Sequence, residues 1–262
     1  MVMPPSFPGA SPLAGRAPTE PRLPSSTDLS RSPQPGFRVL ETAVARADGT
    51  THVSQMKVPA LPLFEAAFSA FARGTVLQSD FGDIAIEDLQ PGDKLATTSG
   101  KSARVLWIGS ASFAPIDANG RRTPLTRVMA DSFGQGRPDS FLTLGPSARI
   151  LQTPPHLRGQ VGAGTVLSPV HHFVDSVNVI EVTPPTPVTL FHIVLERHAA
   201  VYAGGLECET YHPGANATRT VSHTLRDLYL SMFPHIHHVS DFGPLAHPRA
   251  PEIDQMLATA AY

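Results

Sequence analysis

The chain has 262 residues, a formal net charge of −2, 41% hydrophobic residues, 27 prolines and one cysteine. This length suits one or two domains with a buried core, while the many prolines argue against a helical bundle. The balanced charge, without a basic run, argues against nucleic acid as a partner, and a single cysteine excludes an intramolecular disulfide. With no signal-peptide pattern and no run of about 20 apolar residues, we expect no membrane partner and a cytoplasmic location by default, leaderless export being left open.

The chain begins with a segment that we expect to be disordered. Residues 1–36 are rich in Pro, Ser and Gly, and this composition buries too little apolar surface to offset chain entropy. Residues 37–69 then alternate apolar and polar side chains, as at Phe37 and Val53, around the turn-forming pair Asp48–Gly49. This pattern predicts a β-hairpin that leads into the main domain.

The central part of the chain, residues 70–212, is predicted to be β structure. Short apolar runs with alternating polarity are separated by Gly, Pro and Asp, which is typical of strands and turns. Residues 125–131 are an exception and predict a short helix. Residues 174–182 and 188–195 predict a pair of adjacent strands.

The last part, residues 213–262, changes character. Ser222 can cap a helix that runs to Phe233 and is ended by Pro234. A second helix is predicted from Pro251. We therefore expect a helical C-terminal extension on a β domain.

Four short motifs in the β region resemble the opening of the Hint (Hedgehog/intein) domain of bacterial proteins. The motifs are Phe71–Thr75, Glu87–Asp88–Leu89, Pro91–Gly92–Asp93 and Trp107–Ile108–Gly109, and their order and spacing agree with the family pattern. Near the end of the β region, the residues that match the family's closing strands are His192, His198, Gly205, Glu209 and Tyr211. The resemblance implies an all-β Hint fold over residues 70–212, with flattened, pseudo-symmetric β lobes.

The resemblance also implies a self-processing reaction, for which this chain lacks the expected residues. The family places a Cys or Ser nucleophile where Ala70 stands, and a Thr-x-x-His segment where Gly145 and Ala148 stand. Ser69 is one residue early, which turns its side chain to the opposite face. The terminal His-Asn pair of inteins is replaced by Glu209–Thr210. We therefore assign no catalytic residue with the family's role.

Because the expected catalytic residues are missing at several separate positions, we expect a catalytically degenerate Hint scaffold or binding module and not an enzyme. An alternative is an autoprocessing domain with displaced catalytic residues, in which Cys208 or Thr210 would act as the nucleophile. His192, His198 and Glu209 are the retained candidates for polar roles in the pocket.

Histidines supply a third hypothesis, because imidazole is the commonest protein ligand of metal ions. The weak candidates are His235, His237 and His238, and an extended run would place His235 and His237 on one side. Without Cys or a chelating signature, we expect no metal and no cofactor. The expected partner is a protein that docks in the Hint cleft or on the proline-rich tail.

Overall fold

The computed structural model describes residues 36–46, 48–116, 120, 122–161, 164–214 and 216–250. Apart from Gly36, the tail predicted to be disordered lies outside these residues, as does the helix predicted from Pro251. Within these ranges, no helix has the length and apolar character needed to cross a lipid bilayer.

Fifteen strands and three short α-helices make up the described part of the chain. The strands are β1 (Phe37–Ala45), β2 (Thr51–Pro59), β3 (Phe71–Ala72), β4 (Val76–Ser79), β5 (Gly82–Ala85), β6 (Lys94–Ala96), β7 (Ser102–Phe113), β8 (Leu125–Val128), β9 (Leu142–Leu144), β10 (Arg149–Leu151), β11 (Leu167–Pro169), β12 (Val179–Val182), β13 (Val188–Leu195), β14 (Ala200–Ala203) and β15 (Leu206–Glu209). The helices are α1 (Pro62–Glu65), α2 (Arg158–Val161) and α3 (His223–Leu230). The ladders between these strands are antiparallel, and the predicted all-β class is confirmed.

The long strand β7 joins two sheets. Its first residues, Ser102–Arg104, pair with β6, and the later residues pair with β13 and β1. One sheet contains β1, β2, β3, β8, β9, β12 and β13, and the other contains β4, β5, β6, β10, β11, β14 and β15. Because both sheets share β7, the side chains of Val105 and Trp107 are fully buried.

The segment before β3 carries the chain into the middle of this architecture. Pro62 occupies the first turn of α1, where its missing N–H costs no hydrogen bond, and Phe64 and Phe68 are fully buried. Strand β3 then lies between β13 and β9, with Phe71 opposite Phe191 and Leu144. The start of the predicted β domain is thus hydrogen-bonded to a strand on each side.

The helix predicted over residues 125–131 is wrong. The residues Leu125–Val128 form strand β8, which pairs with β9 on one side and with β12 on the other. A seven-residue helix is marginal by itself, so strand pairing with two neighbours overrides the local pattern.

The prediction that residues 174–182 and 188–195 form strands that pair with each other is also wrong. Strand β12 is confined to the last residues of the first segment and pairs with β8, whereas β13 pairs with β7 and β3. The Asp175 carboxylate accepts hydrogen bonds from the backbone N–H groups of Val177, Asn178 and Val179. These bonds hold the residues just before β12 in a turn.

Helix α3 docks on the β domain through a buried aromatic cluster. The Ser222 side chain accepts a hydrogen bond from the Leu225 N–H and caps the helix, as predicted, but the helix ends at Leu230 and not at Phe233. The indole N–H of Trp107 donates to the Met232 carbonyl at 2.7 Å. This contact joins the C-terminal extension to strand β7.

Replacement of Phe233 should test how strongly this extension is attached. The Phe233 ring is fully buried, stacks on Tyr211 and lies 4.7 Å, centroid to centroid, from Trp107. We expect Phe233→Ala to lower the free energy of unfolding in urea by about 3–5 kcal/mol. The matched control is Phe81→Ala, because Phe81 is 95% exposed, and its effect should stay within about 0.5 kcal/mol. Equal effects of the two substitutions would contradict this docking.

Candidate functional site

A cavity of about 1100 Å³ lies where the segment before β3 meets the turn between β9 and β10 and the last described residues of the chain. The polar lining residues include Ser69, Ser147, His192, Glu209, His212 and Arg249. Apolar walls are contributed by prolines and by the rings of Phe113 and Tyr211. The cavity therefore combines polar groups with apolar surface, as ligand sites commonly do.

Ala70, at the family's nucleophile position, does not line this cavity. Its side chain is 1% exposed and packs in the hydrophobic core, and its N–H donates to the Phe191 carbonyl. Ser69, which the sequence places on the opposite face, does line the cavity. Its hydroxyl donates to the Ser147 hydroxyl at 3.1 Å, so two hydroxyl groups form one polar patch.

The backbone around Ser69 is held by the turn that follows β9. The Ser69 carbonyl accepts a hydrogen bond from the Ser147 N–H at 3.1 Å, and the Ala70 carbonyl accepts one from the Gly145 N–H at 2.7 Å. A Cβ atom at position 145 would lie 2.1 Å from the Ser69 carbonyl oxygen. Since real Cβ contacts are never this short, the backbone leaves no room for a side chain at Gly145.

Ala148, at the family's histidine position, is 2% exposed and belongs to the same hydrophobic core as Ala70. The next residue, Arg149, does line the cavity. Ala70 and Ala148, the two positions at which the sequence resemblance implies a nucleophile and a histidine, therefore carry methyl groups in the core.

A buried carboxylate, that of Glu209, lines the cavity together with Arg149 and Arg249. Glu209 is 4% exposed, and one of its oxygens accepts hydrogen bonds from Arg249 Nε at 2.8 Å and from His198 Nε2 at 3.1 Å. Its other oxygen lies 3.6 Å from Arg149 Nε. Burial by itself raises the pKa of Glu209, but the hydrogen bonds and charges of His198 and Arg249 hold that pKa below its ordinary value.

Two hydrogen-bond partners fix the orientation of the His198 ring. Its Nδ1 accepts a hydrogen bond from the Ala246 N–H at 2.9 Å, so the ring proton is assigned to Nε2, which donates to Glu209. The residue lies between β13 and β14 with its side chain 1% exposed. With both nitrogens in use, His198 orients Glu209 and has no nitrogen left to accept a proton from a ligand.

Two histidines that line the cavity, His192 and His212, have lowered pKa values. His192 is buried against the rings of Phe71 and Tyr211, and burial lowers the pKa of His192 to about 3. His212 accepts the Gly214 N–H at Nδ1 and donates from Nε2 to the Gly243 carbonyl. Burial, the largest contribution, lowers the pKa of His212 as well.

The displaced nucleophiles considered from the sequence lie away from the cavity. Cys208 is 1% exposed in the core, and burial raises the pKa of its thiol well above the ordinary value. The Thr210 hydroxyl is fully buried and donates to the Ala199 carbonyl at 3.0 Å. Neither group is reactive in this position.

His235, His237 and His238 do not lie in the expected extended run, because the backbone of residues 234–238 is folded into turns and bends. The backbone N–H groups of His237 and His238 both donate to the Asp241 carboxylate, which fixes this turn. The side chain of His235 is partly buried, whereas His237 and His238 are exposed. In the part of the chain that the structure describes, no three His, Cys, Asp or Glu side chains are placed to hold a metal ion.

Sequence reasoning missed Ser147, Arg149 and Arg249 as cavity residues. Ser147 and Arg149 flank Ala148, where the family pattern has its histidine, and this closeness in sequence is the signal that could have indicated them. Arg249 lies 40 residues from Glu209 in sequence, and no local pattern indicates that the two are in contact.

Comparison with known proteins shows what this architecture is. The profile of the Hint domain family matches residues 69–215, more than half of the 262 residues. The chain belongs to the Hint domain family. The resemblance drawn from the sequence motifs, including the Hint fold, is therefore confirmed. Comparison with curated proteins gives no significant match.

Solved intein structures are also similar to this Hint domain. A bacterial intein-like domain from Clostridium thermocellum is 13% identical, with a TM-score of 0.38, and the match covers 55% of this chain and 99% of that one. The gp41-1 intein is 11% identical, with a TM-score of 0.36 and coverages of 55% and 98%. The Msm DnaB1 intein splicing domain, solved with bound zinc, is 18% identical, with a TM-score of 0.31 and coverages of 55% and 100%.

The close approach at Gly145 can be tested by adding a side chain. We expect Gly145→Ser to lower the free energy of unfolding by about 3 kcal/mol, because the new Cβ forces the Ser69 carbonyl to move. Gly159→Ser is the matched control, since a Cβ atom there meets nothing within 4 Å, and its effect should stay within about 0.5 kcal/mol. Urea unfolding measures both, and an unchanged Gly145→Ser protein would show that the loop yields easily.

The buried neutral histidines predict a loss of stability in acid. The unfolded chain takes up protons as the pH falls below about 6.5, but native His192, with its pKa near 3, does not. The native state is therefore fully favoured above pH 6.5, and His192 alone should remove about 2 kcal/mol between pH 7.5 and pH 5. The lowered pKa of His212 acts in the same direction.

Urea unfolding at pH 7.5 and pH 5 measures this loss. His192→Asn should show a smaller difference between the two pH values than the wild-type chain, because Asn does not titrate. His223→Asn, at an exposed position, is the control and should behave as wild type. A wild-type difference that His192→Asn leaves unchanged would contradict the assignment.

Proposed function

We propose that this Hint domain no longer rearranges its own peptide bond and serves as a scaffold whose cavity binds a partner. The observation that carries the proposal is the pair of positions Ala70 and Gly145. The first has a methyl group in the core, and the second has no space for a hydroxyl-bearing side chain. Covalent self-cleavage needs a nucleophile beside the scissile carbonyl and an acid for the leaving nitrogen.

The environment of the retained polar residues also supports a binding role. His198 uses both ring nitrogens in structural hydrogen bonds, and Glu209 is engaged by three cationic or polar partners. Because their hydrogen bonds are already made, these residues suit a structural role at a binding site better than proton transfer. A cavity of about 1100 Å³ with polar and apolar walls has the size of a site for a small ligand or a short peptide.

Intact mass after incubation tests the loss of self-processing. The purified full chain is held at neutral pH, alone and with added thiol, and we expect one mass throughout. The matched variant Ala70→Cys, which restores the family's nucleophile alone, should also stay intact because Gly145 and Ala148 are unchanged. A specific break between Ser69 and Ala70 in the wild-type chain would overturn the proposed function.

The second candidate is autoprocessing by displaced residues, and the hydroxyl pair of Ser69 and Ser147 favours it. These hydroxyls line the cavity, and the Ser147 N–H donates to the Ser69 carbonyl, as a donor to a developing oxyanion would. If this candidate held, a fragment would accumulate in the wild-type chain and disappear in Ser69→Ala and Ser147→Ala. The described histidines offer no comparable observation for the third hypothesis, a metal site.

A further inference from the structure

The last described residues, 243–250, form a strap across the Hint domain. The strap lies beyond residue 215, where the match to the Hint family ends. It pairs with the free edge of β11, since the Leu167 N–H donates to the Pro248 carbonyl at 2.8 Å and the Ala250 N–H donates to the Leu167 carbonyl at 2.9 Å. This is the backbone geometry of strand addition to a sheet edge.

One side chain anchors the strap. Arg249 donates from Nε to the buried Glu209 carboxylate at 2.8 Å and from Nη2 to the His212 carbonyl at 2.7 Å. The planar guanidinium presents one nitrogen to each of these acceptors, whereas a lysine ammonium has a single nitrogen on a flexible stem. The groove that holds the strap, formed by the edge of β11, Glu209 and His212, thus fits a guanidinium at this position.

Two histidines of the Hint domain bind the strap backbone upstream of Arg249. His212 donates to the Gly243 carbonyl at 2.9 Å, and His198 accepts the Ala246 N–H at 2.9 Å. These two contacts engage backbone groups, which any extended segment carries. The strap side chains that contact the domain through hydrogen bonds are Arg249 and His247, whose Nε2 lies 3.2 Å from the Thr98 hydroxyl.

The strap buries few apolar side chains against the domain. Residues 243–246 and Pro248 are exposed, and Ala250 at the end of the strap is the buried member, packed with Leu157 and Val166. Segments with few buried apolar contacts open locally at a much lower free energy than the whole domain. The strap is therefore held by polar contacts that another segment could replace.

Resting on the proposed binding function, we infer that this groove is a docking site for an extended peptide with an arginine side chain, and that residues 243–250 occupy it in cis. The partner would add a short strand to the edge of β11 and place its guanidinium on Glu209. Release of the strap would expose the groove together with the adjoining end of the cavity, because Arg249, Glu209 and His212 line both.

Hydrogen exchange of the wild-type chain tests whether the strap opens by itself. The amides of Leu167, Ala246 and Ala250 each donate across the strap contact, so they should exchange at least about 100-fold faster than those of β13. Exchange of these three amides at the rate of global unfolding would overturn the inference.

Peptide binding tests the selectivity for arginine. A fluorescent peptide with the sequence of residues 243–250 is titrated into full-length Arg249→Gln, in which the tethered strap has lost its anchor. We expect binding at least about tenfold tighter than to the wild-type chain, where the strap competes at a high effective concentration. The same peptide with Arg→Gln or Arg→Lys should bind at least about tenfold more weakly.

Arg219→Gln is the matched control, because Arg219 is an exposed arginine of the same extension, and it should bind the peptide as wild type does. Equal binding of the Arg and Gln peptides, or no gain in Arg249→Gln, would overturn the inference. Self-cleavage seen by intact mass would instead overturn the proposed function and leave these binding ratios unaffected, so the two failures are distinguishable.

Discussion

The buried carboxylate of Glu209 is the interaction on which the arrangement around the cavity depends. It lies at the end of β15 and contacts Arg149 of β10, His198 of the β13–β14 connection and Arg249 of the strap. A charge that is 4% exposed is tolerated because cationic and hydrogen-bonding partners surround it. Because all three partners contact the same carboxylate, Glu209 couples these four parts of the chain.

The same network explains why the retained family residues need not be catalytic. His198 and Glu209 match positions of the family pattern, yet each is committed to structural hydrogen bonds in this chain. Polar residues at such positions can be kept because they hold neighbouring segments together. The strap extends this role, since it brings an arginine from outside the matched Hint region onto the carboxylate.

Much of the fold was predictable from local patterns, and the failures have a common physical origin. The Hint motifs and the Ser222 helix cap are short-range signals, and they indicated the fold family and the start of α3. The failures at residues 125–131 and 174–182 concern segments whose structure is set by partners distant in the sequence. Strand β8 forms because β9 and β12 flank it, and Asp175 converts the start of an apolar run into a turn.

The sequence by itself indicated the Hint family, because the short motifs between Phe71 and Gly109 depend only on which residue types stand in order along the chain. Only the tertiary structure decided which side chains meet in the cavity, and it did so through contacts between distant segments. It placed Ser69 beside Ser147, and Arg249 on Glu209. No sequence periodicity encodes such pairs, because the distance between their atoms is set by how the sheets and the strap pack.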